Sequence, residues 1–264
     1  MGIAGAIIVW LFLTIFFIAE IISVTINGTS FPFESLWFFI VLWFVSLIII
    51  IVFYYYRKSS QEQFKKALKE QELGHYKFDQ GEYFYQAPIV TLDNQLIPIY
   101  GQTNMKYQTA FNNIIEKWLS ILDVFPLFGV ELTSEHHEVH IRRIQIWNLR
   151  PHYKVTLDGT NIGTLKRKKI ISEKGITQQL PYILTTKDNH YDFTNNYLSM
   201  ETSIEDASHN TFFKAHRSLI DVFKNRNTKK RGENHDITIE ESDFPDELWI
   251  ALYIQLTINR KTSS

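Results

Sequence analysis

Apolar positions follow three regimes along the chain. From Gly2 to Ile26 and from Leu36 to Tyr56 they are nearly continuous, each run close to or above the roughly 20 residues a helix needs to cross a ~30 Å hydrocarbon core. The intervening "NGTSFPFES", with Gly28 and Pro32, is a connection short enough for a helical hairpin. Ser59 to Leu73 then reads as a charged helix ended by Gly74. Beyond Tyr76 short runs of β-branched and aromatic residues alternate with polar ones and are punctuated by Pro, Asp-Gly, Lys-Gly and Asp-Asn, the signature of antiparallel strands joined by tight turns.

Two stretches of this third region break the alternation. Phe111, Ile114, Ile115, Trp118, Leu119, Leu122 and Phe125 recur at three and four residues and predict a helix with one apolar face, ended by Pro126 and Gly129. Phe212, Phe213, His216, Leu219, Ile220 and Phe223 predict a second, followed by the polar loop "NRNTKKRGENHD" and a short strand at "ITIEES".

The chain closes on "FPDELWIALYIQLTINRK". Asp243 as N-cap, Pro245 in the first turn, acids at the start and Arg260 and Lys261 at the end are helix signals. Its apolar residues leave a polar stripe of only Glu247, Ala251, Gln255 and Asn259, so such a helix must be buried on nearly every side. Leu248 to Ile258 would span only ~16 Å, about half a bilayer, which argues against a third crossing. Alternation of Leu252, Ile254, Leu256 and Ile258 leaves a strand as the rival reading.

Charge adds a sidedness. Residues 1–56 hold no Lys or Arg and only two acids, Glu20 and Glu34. Arg57, Lys58, Lys65, Lys66 and Lys69 follow the second run directly, so the positive-inside rule puts both termini in the cytoplasm of a two-pass cell-membrane protein. Tyr54, Tyr55 and Tyr56 would form an aromatic belt at the inner interface, and Glu20 lies near the outer headgroups. The remaining chain is nearly neutral, which argues against nucleic-acid binding. With no cysteine, thiolate chemistry, disulfides and Cys-type metal sites are excluded. A Cys-free chain rich in Lys, Asn and Ile has a bacterial character.

Candidate chemistry is sparse. Lys166, Arg167, Lys168 and Lys169, with Lys174 nearby, form the densest basic cluster, suited either to anionic headgroups or to a charged strand edge that blocks aggregation. His136, Glu138 and His140 share one face of an extended segment, but lack a further metal ligand. No G-x-S-x-G, P-loop or G-x-G-x-x-G is present, so no catalytic residue, cofactor or metal site is assigned.

The strand-turn-strand "YKVTLDGTNIGTLKRKK" and the terminal "FPDELWIALYIQLTINRK" resemble the tubby C-terminal-like fold, whose shape is shared with LURP-one-related proteins and phospholipid scramblases. The resemblance covers residues 76–264 and implies a closed twelve-stranded barrel enclosing a hydrophobic C-terminal helix, with binding of phosphoinositide headgroups or other ligands in place of catalysis. The expected protein is therefore membrane-anchored α+β. It has a transmembrane hairpin in 1–56, a juxtamembrane helix in 57–75, and a mainly antiparallel β-barrel around an apolar helix in 76–264. The expected function is a tethered, non-catalytic binding or regulatory module contacting anionic lipid or a membrane protein partner. A scramblase-like or other membrane enzyme is the alternative.

Overall fold

The computed structural model describes residues 3–28, 36–70, 78–88, 94–121, 128–144, 150–168, 181–195, 199–218 and 232–263. Helices α1 (Ile3–Asn27) and α2 (Leu36–Glu70) come first. Both are long and apolar enough to cross a membrane, the most apolar 18-residue windows within Gly5–Ile26 and Trp37–Lys66 having mean hydropathies of 2.6 and 2.8 and lying outside any core. They touch each other through Trp10 and Trp43, whose rings lie 5.5 Å apart, and the Trp43 indole N–H donates to Thr14 Oγ1 at 2.8 Å. A polar contact of this kind helps to fix the rotation of one apolar helix against another.

The second apolar run and the charged segment after it form one continuous helix. Past Tyr56 it keeps one face on the next unit: Gln61 and Phe64 are buried and Leu68 packs on the core. A Cβ on Gly232, whose φ is 89°, would collide first with the Ala87 carbonyl and next with the Phe64 ring at 2.9 Å, so glycine suits this close approach of β1 and α2.

Twelve strands follow: β1 (Glu82–Ala87), β2 (Ile97–Gly101), β3 (Met105–Ala110), β4 (Gly129–Thr133), β5 (Glu138–Arg143), β6 (His152–Leu157), β7 (Thr160–Arg167), β8 (Tyr182–Thr186), β9 (His190–Thr194), β10 (Glu201–Glu205), β11 (Thr211–Ser218) and β12 (Glu233–Ile239). Each pairs antiparallel with its neighbour in sequence and β1 pairs with β12, which closes the barrel and leaves no edge. Helix α3 (Ile114–Ile121) interrupts the meander, and α4 (Asp246–Ser263) ends it.

Alternation turns one face of every strand inward, and α4 fills the space enclosed. Leu248 to Leu256 are fully buried, in one core with Tyr85, Val130, Ile141, Tyr153, Leu184, Phe193 and Phe213 from around the wall. The helix reading of the terminal run therefore holds against the strand. Most of its polar stripe is paired in place: Glu247 accepts from Ser134 Oγ at 2.8 Å, Gln255 donates to the Phe128 carbonyl at 2.9 Å, and Asn259 bridges the Tyr153 and Tyr182 hydroxyls. The helix starts at Asp246, so Pro245 takes the N-cap position and Asp243 accepts from the Tyr191 hydroxyl at 3.0 Å.

An up-and-down barrel puts alternate connections on opposite ends. At one end, the turn end, they run two to five residues: 102–104, 134–137, 158–159, 187–189 and 206–210. At the other, the loop end, they run six to eighteen: 88–96, 111–128, 144–151, 168–181, 195–200 and 219–232. The Asp158-Gly159 turn shows why the first kind is so short. Both residues have positive φ, 50° and 77°, the type I′ geometry whose twist matches the flanking strands.

Three expectations change. The expected helix around Phe212 to Phe223 is strand β11 as far as Ser218, and 219–223 lie outside the described residues. A register shift opposite Ile204 and Glu205 leaves Phe212 as an extra residue, so consecutive phenylalanines both pack on the core and mimic helical spacing. The strand expected at "ITIEES" begins earlier, at Glu233, because His235, Ile237 and Ile239 alternate inward. Of the helix expected from Phe111 to Phe125, Ile114–Ile121 is helical, Phe111 precedes it and 122–127 lie outside the described residues, and the helix is inside out. Glu116 and Ser120 are 3% and 1% exposed, whereas Ile114, Ile115 and Trp118 are 71%, 65% and 52% exposed.

Candidate anion-binding mouth at the loop end

At the loop end, the last inward positions of several strands carry charge where alternation elsewhere supplies apolar side chains. On β5 the inward series Val139, Ile141 ends in Arg143; on β7 Leu165 is followed by Arg167; on β11 Phe213 and Ala215 are followed by Arg217. Each faces a ring across the strand pair: Arg143 opposite Tyr153, Arg167 opposite Tyr182, Arg217 opposite His235. Arg260, from the last turns of α4, reaches the same region from the centre.

Glu233 is the acid among them. Its carboxylate takes Arg260 Nη2 at 3.1 Å and Arg217 Nη1 at 3.6 Å, and His235 Nε2 stands 3.7 Å away. The fully buried His235 ring stacks on Tyr85 at 4.5 Å, and its Nδ1 is 2.8 Å from the Tyr253 hydroxyl. Burial pushes the Tyr182 hydroxyl up to about 12, against the opposing pull of Arg167 and Arg143. Burial also raises the Tyr153 and Tyr253 hydroxyls, with Arg143 acting on the first and Arg260 and Arg217 on the second. The tyrosines at this mouth are therefore neutral donors at physiological pH, and they report the arginine fields around them. Desolvation lowers the Arg260 guanidinium, with Glu233 opposing it, which leaves that group protonated.

The balance of charge is positive. Among the described residues at this end Arg217 and Arg260 pair with Glu233, Arg143 and Arg167 act on the Tyr153 and Tyr182 hydroxyls, Glu116 of α3 is the other buried acid, and the negative end of α4 offsets about half a charge more. Glu116 is spoken for locally, accepting from the Asn112 backbone N–H at 2.9 Å while its own N–H donates to Asn113 Oδ1 at 2.8 Å. Inward-turned guanidiniums beside the neutral Tyr182 hydroxyl have the chemistry to take a phosphate or carboxylate bidentately.

Of the basic cluster expected at 166–174, Lys166, Arg167 and Lys168 are at this end of β7. Lys166 lies half-buried on the outer wall, Arg167 turns inward to Tyr182, and Lys168 Nζ is held by Asp192 Oδ1 at 2.9 Å. Lys169 and Lys174 fall outside the described residues. On α2, Lys58 and Lys66 are exposed and Arg57 and Lys65 half-buried, while Lys69 belongs to the helix's final turn. Arg143, Arg217, Arg260 and Glu233 escaped the sequence reading, although their continuation of an inward-facing parity was the signal available.

Other candidates disperse. His140 pairs with Glu138 at 3.1 Å and Glu131 at 3.5 Å on the outer wall, where Arg142 also meets Glu131; His136 is exposed. Among the described residues no group of three or more His, Asp or Glu could hold a metal ion. His216 lies on the outer face of β11, half exposed and 4.0 Å from Glu201, not on a helix. Comparisons with protein-family models, curated proteins and solved structures return no match.

Proposed function

We propose that this chain is a membrane-tethered, non-catalytic binding module of tubby-like architecture, with both termini cytoplasmic, whose loop end recognises an anionic lipid headgroup. The carrying observation is the set Arg143, Arg167, Arg217 and Arg260, turned inward at the end of the barrel that α2 reaches. The tubby-like likeness is supported by a closed twelve-strand barrel around an apolar C-terminal helix. Counted by sequence, the connections that join strands at this end hold Lys117, Arg150, Lys168, Lys169, Lys174, Lys224, Arg226, Lys229, Lys230 and Arg231, against Asp93, Glu116, Asp123, Glu173 and Asp221. Binding is favoured over lipid translocation because, among the described residues, α4 fills the barrel interior with fully buried side chains.

The test is titration of the full chain, in neutral detergent, with short-chain phosphatidylglycerol and phosphatidylcholine, read by native mass spectrometry. Tighter binding of the anionic lipid is expected, falling on the order of tenfold or more in Arg167→Gln/Arg217→Gln and little in Lys166→Gln/Lys168→Gln. Equal affinity for the two lipids contradicts the reading. Topology is tested separately in this Cys-free chain: a Ser264→Cys variant should resist impermeant thiol reagents applied to intact cells.

A further inference from the structure

Helix α3 wears its polar face inward and its apolar face outward. Asn112 and Asn113 lock Glu116 in a reciprocal cap, the Asn112 amide also donates to the Arg143 carbonyl at 3.3 Å, and the Arg142 guanidinium donates to the Phe111 carbonyl at 3.1 Å. The helix is thus pinned to the end of β5 in an orientation that presents Ile114, Ile115 and Trp118 away from the core. Beyond the two N-terminal helices, the large apolar side chains exposed among the described residues are these three with Leu96 and Ile144. All five belong to the loop end: Leu96 precedes β2, Ile144 follows β5, and α3 lies between β3 and β4.

The same end is joined rigidly to the apolar helices. Eight residues of unbroken α2 separate Tyr56 from Phe64, about 12 Å of helix, and Phe64 is buried against the barrel. Headgroup regions are roughly 5–7 Å deep on each side of the hydrocarbon core. Apolar residues clustered on this end, with a tryptophan among them, match the chemistry of the lipid–water boundary. A wholly solvated end would leave such a patch unexplained.

We infer that α3, with Leu96 and Ile144, is a membrane-seating surface: its Ile114, Ile115 and Trp118 side chains enter the headgroup–acyl boundary of the leaflet from which α2 emerges. This rests on the reading of α1 and α2 as membrane spans. Seating fixes the barrel at three places, α2, α3 and the neighbouring loops, and holds the arginine mouth at headgroup depth, where a lipid can enter it without leaving the bilayer.

Absence of cysteine makes the test direct. The full chain, reconstituted in phosphatidylcholine/phosphatidylglycerol vesicles, is labelled with an environment-sensitive fluorophore at one of three exposed sites, introduced as Ile115→Cys on α3, Ile48→Cys on α2, or Asp188→Cys in a turn. The label at 115 should show blue-shifted emission, quenching by doxyl lipids and loss of iodide quenching, as the label at 48 does. The label at 188 should show the reverse. A label at 115 that is quenched by iodide like that at 188, while 48 remains lipid-exposed, overturns the seating surface alone. A label at 115 shielded from both quenchers overturns it in favour of a protein partner or second copy. If 48 is itself accessible to iodide, the membrane-span reading fails and the seating surface with it.

Discussion

At the turn end of the barrel, connections of two to five residues reverse the chain, and the acids around the start of α4 each have a hydroxyl partner: Asp246 from Tyr83 at 2.7 Å, Glu247 from Ser134, Asp243 from Tyr191. At the loop end connections are long, and arginines surround the end of α4 in excess of the acids that face them. Both arrangements complement the helix macrodipole, with acids at its positive end and bases at its negative end. The difference lies in closure. Short turns and one-to-one hydroxyl pairing mark the turn end, whereas long connections, inward-turned arginines, an outward-facing apolar helix surface and the approach of α2 mark the loop end. On the function proposed above, one barrel separates a structural end from a binding end.

Breaking the turn end should cost the most stability. Trp249 is fully buried there, with its ring centroid 4.9 Å from Tyr191 and 4.7 Å from Phe212, and its indole N–H donating to Ser242. Trp249→Ala is expected to lose about 3–5 kcal/mol in chemical unfolding, with no selective effect on anion binding beyond that of a less stable fold. Next, Asn259→Leu removes the bridge between the Tyr153 and Tyr182 hydroxyls and should cost roughly 2–3 kcal/mol, read by denaturant midpoint at constant slope.

Much of this architecture was legible because its signals were local. Residues Leu248 to Leu256 are apolar around most of the circumference, which requires burial on nearly every side; that the surroundings are a closed sheet came from the resemblance. Asp158-Gly159 specifies its turn, and the two N-terminal runs specify their helices. The basic stretch "LKRKK" included the inward-turned Arg167 but gave no sign of Arg143, Arg217 or Arg260 beside it. Sequence alternation assigns charge to the outside, and Arg143 and Arg217 follow apolar positions inward only because a strand end opens onto solvent. Periodicity in α3 identified residues that share a face, but the direction of that face was fixed elsewhere, by Asn112 and Asn113 holding Glu116. For β11, a single bulged residue turned strand alternation into helix-like spacing.

Two smaller effects sharpen the contrast between the ends. Glu233→Gln withdraws the counter-charge from Arg217 and Arg260, so binding of short-chain phosphatidylglycerol should strengthen by several-fold while stability falls by roughly 1–3 kcal/mol. At the turn end, Asp158 accepts from the Glu138 backbone N–H and from His137, which hold its carboxyl below the ordinary 3.8. A depressed carboxyl favours the fold above its unfolded value, and this contribution is lost as pH falls through the folded one. Asp158→Asn should therefore flatten the acid limb of the stability profile slightly below about pH 4, and leave lipid binding unchanged.

The most direct test of the division between ends is energy transfer in vesicles containing acceptor-labelled lipid, with the donor placed singly on the full chain at Arg150→Cys at the loop end or Asp188→Cys at the turn end. Strands of five to eight residues put the two ends on the order of 20 Å apart. The account predicts markedly higher transfer from position 150 than from 188. Equal transfer, or higher transfer from 188, would contradict it.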